Sequence, residues 1–399
     1  RSRGGSKYQL ADEQLYVGTD SADQAASRLF QQVVGDLSQA IEKGTNDAQV
    51  YYERGCSYYE GKKWDLTVAD MDEAIRSKAD FGEAYYVRAD AKFRQSNHQG
   101  AIGDYDNAIG NGIDEARIYN NRGKAKQILE QYEAAVEDYS QSLNRDPEYA
   151  QAYTNRGETY YLMEDFASSI EDFRSLEKLG LQLDGETYAK MGKAYYATER
   201  YPQAGVYFGN ATEQEISTKE VWELKGESEL YSKNYDASIE SFQNALQFDS
   251  RDPKLYLNRA FAYMYVGEYL LAMADLKKSV QFDAQNPIPH LNMAYINEEE
   301  ENYRAAIENY SAVIELEPEN HEALYGRGSN KFSQGEYESA AYDFGKALEL
   351  APDKGDYARS LGNAHYQREE YEEACAAWKK GADLGDRGSE TSYGRFCGE

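Results

Sequence analysis

Nucleophilic, acid–base and metal chemistry falls mostly to histidine and cysteine, and this chain of 399 residues holds four of the first and three of the second. His98, His290, His321 and His365 stand far apart, and no two share the spacing of a ligand pair on one helix face. Cys56, Cys375 and Cys397 form neither a disulfide framework nor a C-x-x-C redox pair, and none has a histidine at a recognisable distance. The sequence has no HExxH, no GxxxxGK[ST] and no GxGxxG opening a helix after a strand. Glu298–Glu301 puts four carboxylates together and could attract a calcium ion. It lacks the alternating ligand spacing of a calcium loop and reads as a solvated turn. The chain is therefore read as non-enzymatic, with no cofactor and no metal. What remains is recognition, and the 37 tyrosines are the obvious material for it.

Recognition residues need elements to hold them, and the elements repeat. A small residue recurs at Gly55, Ala89, Gly123, Gly157, Gly192, Gly226, Ala260, Ala294, Gly328 and Gly362. The step is 34 residues throughout, except 35 between Gly157 and Gly192. A turn aromatic keeps the same step from Trp64 through Tyr132, Phe166 and Tyr201 to Tyr371, with His98 as the exception. So does a second small column from Thr67 and Ala101 to Ala374, and a large column from Met71 and Tyr105 to Trp378. Within each copy, three- and four-residue apolar spacing describes two short helices. Small residues on both let the axes approach closely. Four columns in register over ten copies make the class all-α.

The period and these columns, over residues 48–388, resemble the tetratricopeptide repeat family, in the manner of its bacterial multi-repeat members. The resemblance implies a right-handed α-solenoid superhelix of about ten tandem helical hairpins with capping helices at both ends. It also implies a concave groove that binds a peptide or a segment of a partner protein. The family's concave places are the second, fifth, ninth, twelfth and thirteenth of each copy. In copies seven to nine these carry Leu257, Phe261, Met264, Tyr265, Ile288, Leu291, Tyr295, Tyr325 and Phe332. Leu257, Phe261, Met264, Tyr265, Leu291, Tyr295 and Tyr325 are the candidate partner-binding groove. Copies one and two give a secondary patch, Tyr52, Tyr86 and Phe93, beside Tyr59, Asp90 and Arg94. Copies three to five offer Arg117, Asn120, Lys124, Glu158 and Lys193, and copy six stacks Glu220, Glu223 and Glu227. Because Asn120 and Lys124 are polar, copy three is expected to be structural or rim. A subset of the family grips the C-terminal carboxylate of chaperone tails with Lys, Asn and Arg on adjacent copies. Arg359 and Asn363 resemble its first part, but no copy follows them, and earlier copies put Tyr52/Cys56 and Tyr86/Asp90 at those places. A co-chaperone role is not expected.

Residues 1–19 lack helical periodicity and read as a flexible leader. Residues 20–47 read as an N-terminal capping helix closed by Gly44, and 389–399 as a short C-terminal cap. The ending from Ala374 to Cys397 resembles that of bacterial family members, which implies that Cys397 comes near Cys375, as a disulfide or as two free thiols. The extra residue after copy four, with Leu176 where a small residue is usual and Pro202, Gly205 and Gly209 beyond, predicts a hinge near 176–186. Gly100, Gly103, Gly110 and Gly112 predict a weak second helix in copy two. The formal charge of −28 argues against nucleic acid and anionic membranes. The absence of any long apolar run argues against a membrane span. The leader resembles the tether of a mature cell-envelope lipoprotein, with a cytoplasmic adaptor as the alternative. A carbohydrate- or small-ligand-binding surface protein is the alternative function, since tyrosines stack on sugars as well as on peptides.

Overall fold

The computed structural model describes residues 20–398; the leader at 1–19 lies outside them. The described residues form 22 α-helices and no strand. The first, Asp20–Glu42, ends before Gly44, whose φ of +91° turns the chain out of the helix. Ten hairpins follow, and the last helix, Arg387–Phe396, begins two residues before the expected cap.

The hairpin geometry follows from the columns. Gly123, in the first helix of copy three (Ala116–Ile128), faces Tyr139 of the second (Tyr132–Arg145). A methyl group on Gly123 would lie 2.8 Å from the Tyr139 ring and 3.2 Å from the Ala135 carbonyl oxygen. The aromatic ring thus fills the space that the missing side chain leaves. Tyr139 and its counterparts Tyr105, Phe173, Phe208, Phe242 and Trp378 are buried almost completely. Each hairpin turns on one left-handed residue two places before the turn aromatic, from Lys62 and Ser96 to Glu369. Only Gly267 and Gly335 are glycines there; the other copies accept a side chain in a conformation that costs it. The twelfth-place aromatic of many copies then packs edge-on against the turn aromatic, as in Tyr161–Phe166 at 5.6 Å and Phe332–Tyr337 at 5.2 Å.

A further column joins the copies. Arg54, Arg88, Arg122, Arg156, Arg259 and Arg327 each stand one residue before the small column. Each grips an aspartate of its own second helix through two nitrogens: Asp70, Asp104, Asp138, Asp172, Asp275 and Asp343. The third nitrogen reaches the preceding copy where a partner exists there. Arg88 meets Asp72 and Arg122 meets Asp106, both at 2.6 Å, and Arg156 meets Ser140 at 2.9 Å. One guanidinium therefore ties three helices, a geometry its planar fork suits better than a lysine would.

Two compact units divide at Leu183/Asp184, inside the stretch 176–186. The first holds the N-terminal helix and copies one to four. The second holds copies five to ten and the last helix. In the second, Cys375 and Cys397 form a disulfide, with Cα atoms 5.7 Å apart. It fixes Arg387–Phe396 against copy ten, where Phe396 packs on Tyr366 (4.8 Å) and Trp378 (5.6 Å).

Candidate functional site

The histidines do not converge. His98 packs edge-on against Phe93, His290 meets Asn309, His321 meets the Tyr357 hydroxyl and His365 meets Glu370. No group of side chains suited to a metal ion is present among the described residues. At the acidic turn, Glu298 accepts hydrogen bonds from Tyr310 and Asn330.

In the first unit a cavity of about 230 Å³ opens between the first helices of copies one to four. Tyr59, Phe93 and Tyr105 give it aromatic walls; Asp90, Asn120, Asn121, Asn155 and Gln151 give it a polar floor; Arg94 and Lys124 border it. The polar groups are ordered as one ladder. Gln151 donates to Asn155 (3.3 Å), Asn155 to Asn120 (2.8 Å), Asn120 to Asn121 (3.3 Å) and Asn121 to Asp90 (3.2 Å). The Tyr105 hydroxyl donates to the same Asp90 oxygen at 2.5 Å. Asn120, Asn155 and Asp90 are buried, so these bonds lie in a low dielectric and hold the amides in place. Burial pushes the Asp90 carboxyl above the usual carboxylate range, against the opposite pull of hydrogen bonds from Tyr105, Asn121 and Tyr86. Lys124 lies 3.7 Å from Glu158.

The expected residues fall differently in the two units. Phe93 lines the cavity, and Tyr86, buried, takes a 3.4 Å hydrogen bond from Asn121 beneath it. Tyr52 is half-buried and packs on Phe81 at 4.9 Å. Asn120 and Lys124 of copy three line the cavity. In the second unit Leu257 is buried in the core of copy seven, and Phe261 and Met264 pack against that core. Leu291 is half-buried. Tyr325 stacks on Tyr357 at 4.3 Å between two core clusters. Tyr265 and Tyr295 are exposed, and Tyr265 stacks on Tyr235 at 4.6 Å. In copy six the acidic stripe is paired off. Glu220 meets Lys193, Glu223 meets Lys254, and Glu227 takes Lys254, Tyr196 and Asn258. Sequence reasoning passed over Asn121, Asn155 and Gln151. The first two occupy the sixth place, one beyond the fifth, and Gln151 is the second place of copy four.

Family descriptions match several stretches of the chain: "Tetratricopeptide repeat" over residues 52–116, 150–179, 291–345 and 328–386, and "TPR repeat" over 128–163. Together these cover more than half of it. The chain belongs to the tetratricopeptide repeat family. Repeats of this family typically serve as non-enzymatic scaffolds for protein interaction. Among solved tetratricopeptide structures, YrrB, described as a TPR protein with an unusual peptide-binding site, is 19% identical. The match covers 46% of this chain and 95% of that one, with a TM-score of 0.41. MamA from Desulfovibrio magneticus RS-1 is 16% identical over 42% of this chain and 94% of that one, with a TM-score of 0.39. The APC/C Cut9–Hcn1 hetero-tetramer is 12% identical over 94% of this chain and 95% of that one, with a TM-score of 0.38. No curated protein matches the sequence. No helix among the described residues is long and apolar enough to cross a membrane.

Proposed function

We propose that this tetratricopeptide chain is a scaffold that captures an extended peptide segment of a partner protein, seated in the cavity of copies one to four. The observation that carries the reading is the amide ladder from Gln151 to Asp90 set against the rings of Tyr59 and Phe93. A side-chain amide carries two N–H groups and an acceptor oxygen, the complement of an extended main chain. Held by its neighbours, it meets a ligand at little entropic cost. The volume is below the roughly 300–1,000 Å³ of drug-sized sites and suits one side chain with a short stretch of main chain. The exposed Tyr265 and Tyr295, with Leu257, Phe261, Met264, Leu291 and Tyr325 of the same three copies, are then a separate candidate surface in the second unit. Their exposed rings could hold a further part of the same partner.

The test is display panning of random peptides on the full chain, run beside a glycan array. Peptides are expected to be recovered, and Phe93→Ala, a half-buried wall residue, should weaken them by about tenfold while the far-UV melting curve stays close to wild type. Recovery of glycans and no peptides would overturn the proposal in favour of the carbohydrate alternative.

A further inference from the structure

We infer that the cavity is built to receive a cationic group, a lysine or arginine side chain of the bound segment, against Asp90. This rests on the peptide-binding reading above and narrows it to a class of partner sequence. The argument comes from comparing buried acids within the chain. Asp70, Asp104, Asp138, Asp172, Asp275 and Asp343 are all buried, and each is held by an arginine of its own hairpin. Asp90 is 9% exposed and, among the described residues, has no ion pair. It faces the cavity. A buried carboxylate without a counter-charge is costly, so its retention needs a reason.

Copy six supplies the internal control. Glu227 holds the ninth place there, as Asp90 does in copy two. Each takes a hydrogen bond from the sixth-place asparagine of the next copy, Asn258 for Glu227 and Asn121 for Asp90. The second place of that next copy is basic in both, Lys254 and Arg117. Lys254 closes on Glu227 at 2.8 Å. Arg117 instead lies over the Tyr86 ring, 5.2 Å from its centroid, and Asp90 is one methylene shorter than Glu227. The same frame is thus neutralised from within in one unit and left open to the cavity in the other.

Every charged or titratable group near Asp90 fits that account. Arg117 lowers its pKa less than the hydrogen bonds do, and Tyr86 and Tyr105 donate those bonds without neutralising it. Arg94 is exposed and hydrogen-bonds Tyr59, and Lys124 answers to Glu158. Three donors leave part of the carboxylate's acceptor capacity unused. The rings of Tyr59 and Phe93 line the same cavity, and an aromatic face beside a guanidinium or ammonium stabilises it.

The peptides recovered by panning on the full chain are the probe. They should be enriched in arginine or lysine, and resynthesis with that residue as citrulline or norleucine should weaken binding by about tenfold. Asp90→Asn keeps an acceptor for Tyr105 and Asn121, and it should bind both forms equally. Recovered peptides without a basic residue would overturn the inference and leave the peptide reading standing. So would a neutral analogue that binds as well as its parent, or a preference that survives Asp90→Asn. Failure to recover any peptide would remove both. If Asp90→Asn does not fold, the comparison of arginine with citrulline on the natural chain decides alone.

Discussion

Two aspartates of the first unit, Asp138 and Asp90, are both buried, yet only Asp138 sits in an ion pair. Asp138 is held by Arg122 and by Lys126 at 2.8 Å. Arg122→Ala removes the two-nitrogen grip but leaves Lys126 on Asp138, and should cost about 1.5–3 kcal/mol in urea unfolding. Asp90 has no such partner, and burial raises its pKa in the fold. Below the ordinary carboxylate range the folded and unfolded chains both carry the proton, and the stability difference between wild type and Asp90→Asn should be constant. As pH rises through that range the unfolded chain ionises first, and wild type loses stability relative to the variant. Melting curves from acid to neutral pH should therefore diverge in favour of Asp90→Asn. Parallel curves would mean that Asp90 carries no such cost. Little of this contrast was legible in the sequence. The arginine and aspartate columns share the period of the small residues and could have been read from it. That Arg117 lies over Tyr86 while Lys254 reaches Glu227 depends on side-chain conformation, which periodicity does not encode.

The helices were legible almost throughout, because a ring in one and a gap in the other recur at the same places. Gly123→Ala should cost about 1–3 kcal/mol, since the added methyl meets the Tyr139 ring and a backbone oxygen. Gly103, in the second helix of copy two (His98–Gly110), has nothing within 4 Å of an added methyl. Gly103→Ala should stabilise that helix by roughly 0.5–1 kcal/mol in the same unfolding assay. The last helix depends on covalent closure, because Gly388 and Gly394 weaken it. The Cys375–Cys397 bond spans 22 residues, and closure of that length is worth about 3 kcal/mol. Cys397→Ser should release Arg387–Phe396 first, visible as faster amide exchange confined to copy ten and the final helix. Uniform loss of protection along the second unit would contradict this. The resemblance pointed to the two cysteines as neighbours, but the residues alone left bond and free thiols equally open.

Over the whole molecule, ten copies of one hairpin make a scaffold, and the proposed recognition site lies where copies depart from the pattern. The inserted residue before copy five coincides with the division at Leu183. We propose that 176–186 acts as a hinge, so its amides should exchange faster than those of the flanking helices, and equal protection would count against it. The groove positions were legible as places in the repeat but not as a site. The aromatic residues of copies seven to nine are largely drawn into packing, whereas the polar residues of copies two to four gather around one cavity. The measurement that bears most directly on this account is photo-crosslinking. Peptides selected on the full chain would carry a benzophenone beside their basic residue, and the adduct would be mapped by mass spectrometry. The account predicts adducts within the cavity wall, at Tyr59, Phe93 or their neighbours up to Asn155. Adducts confined to residues 257–325 would contradict it.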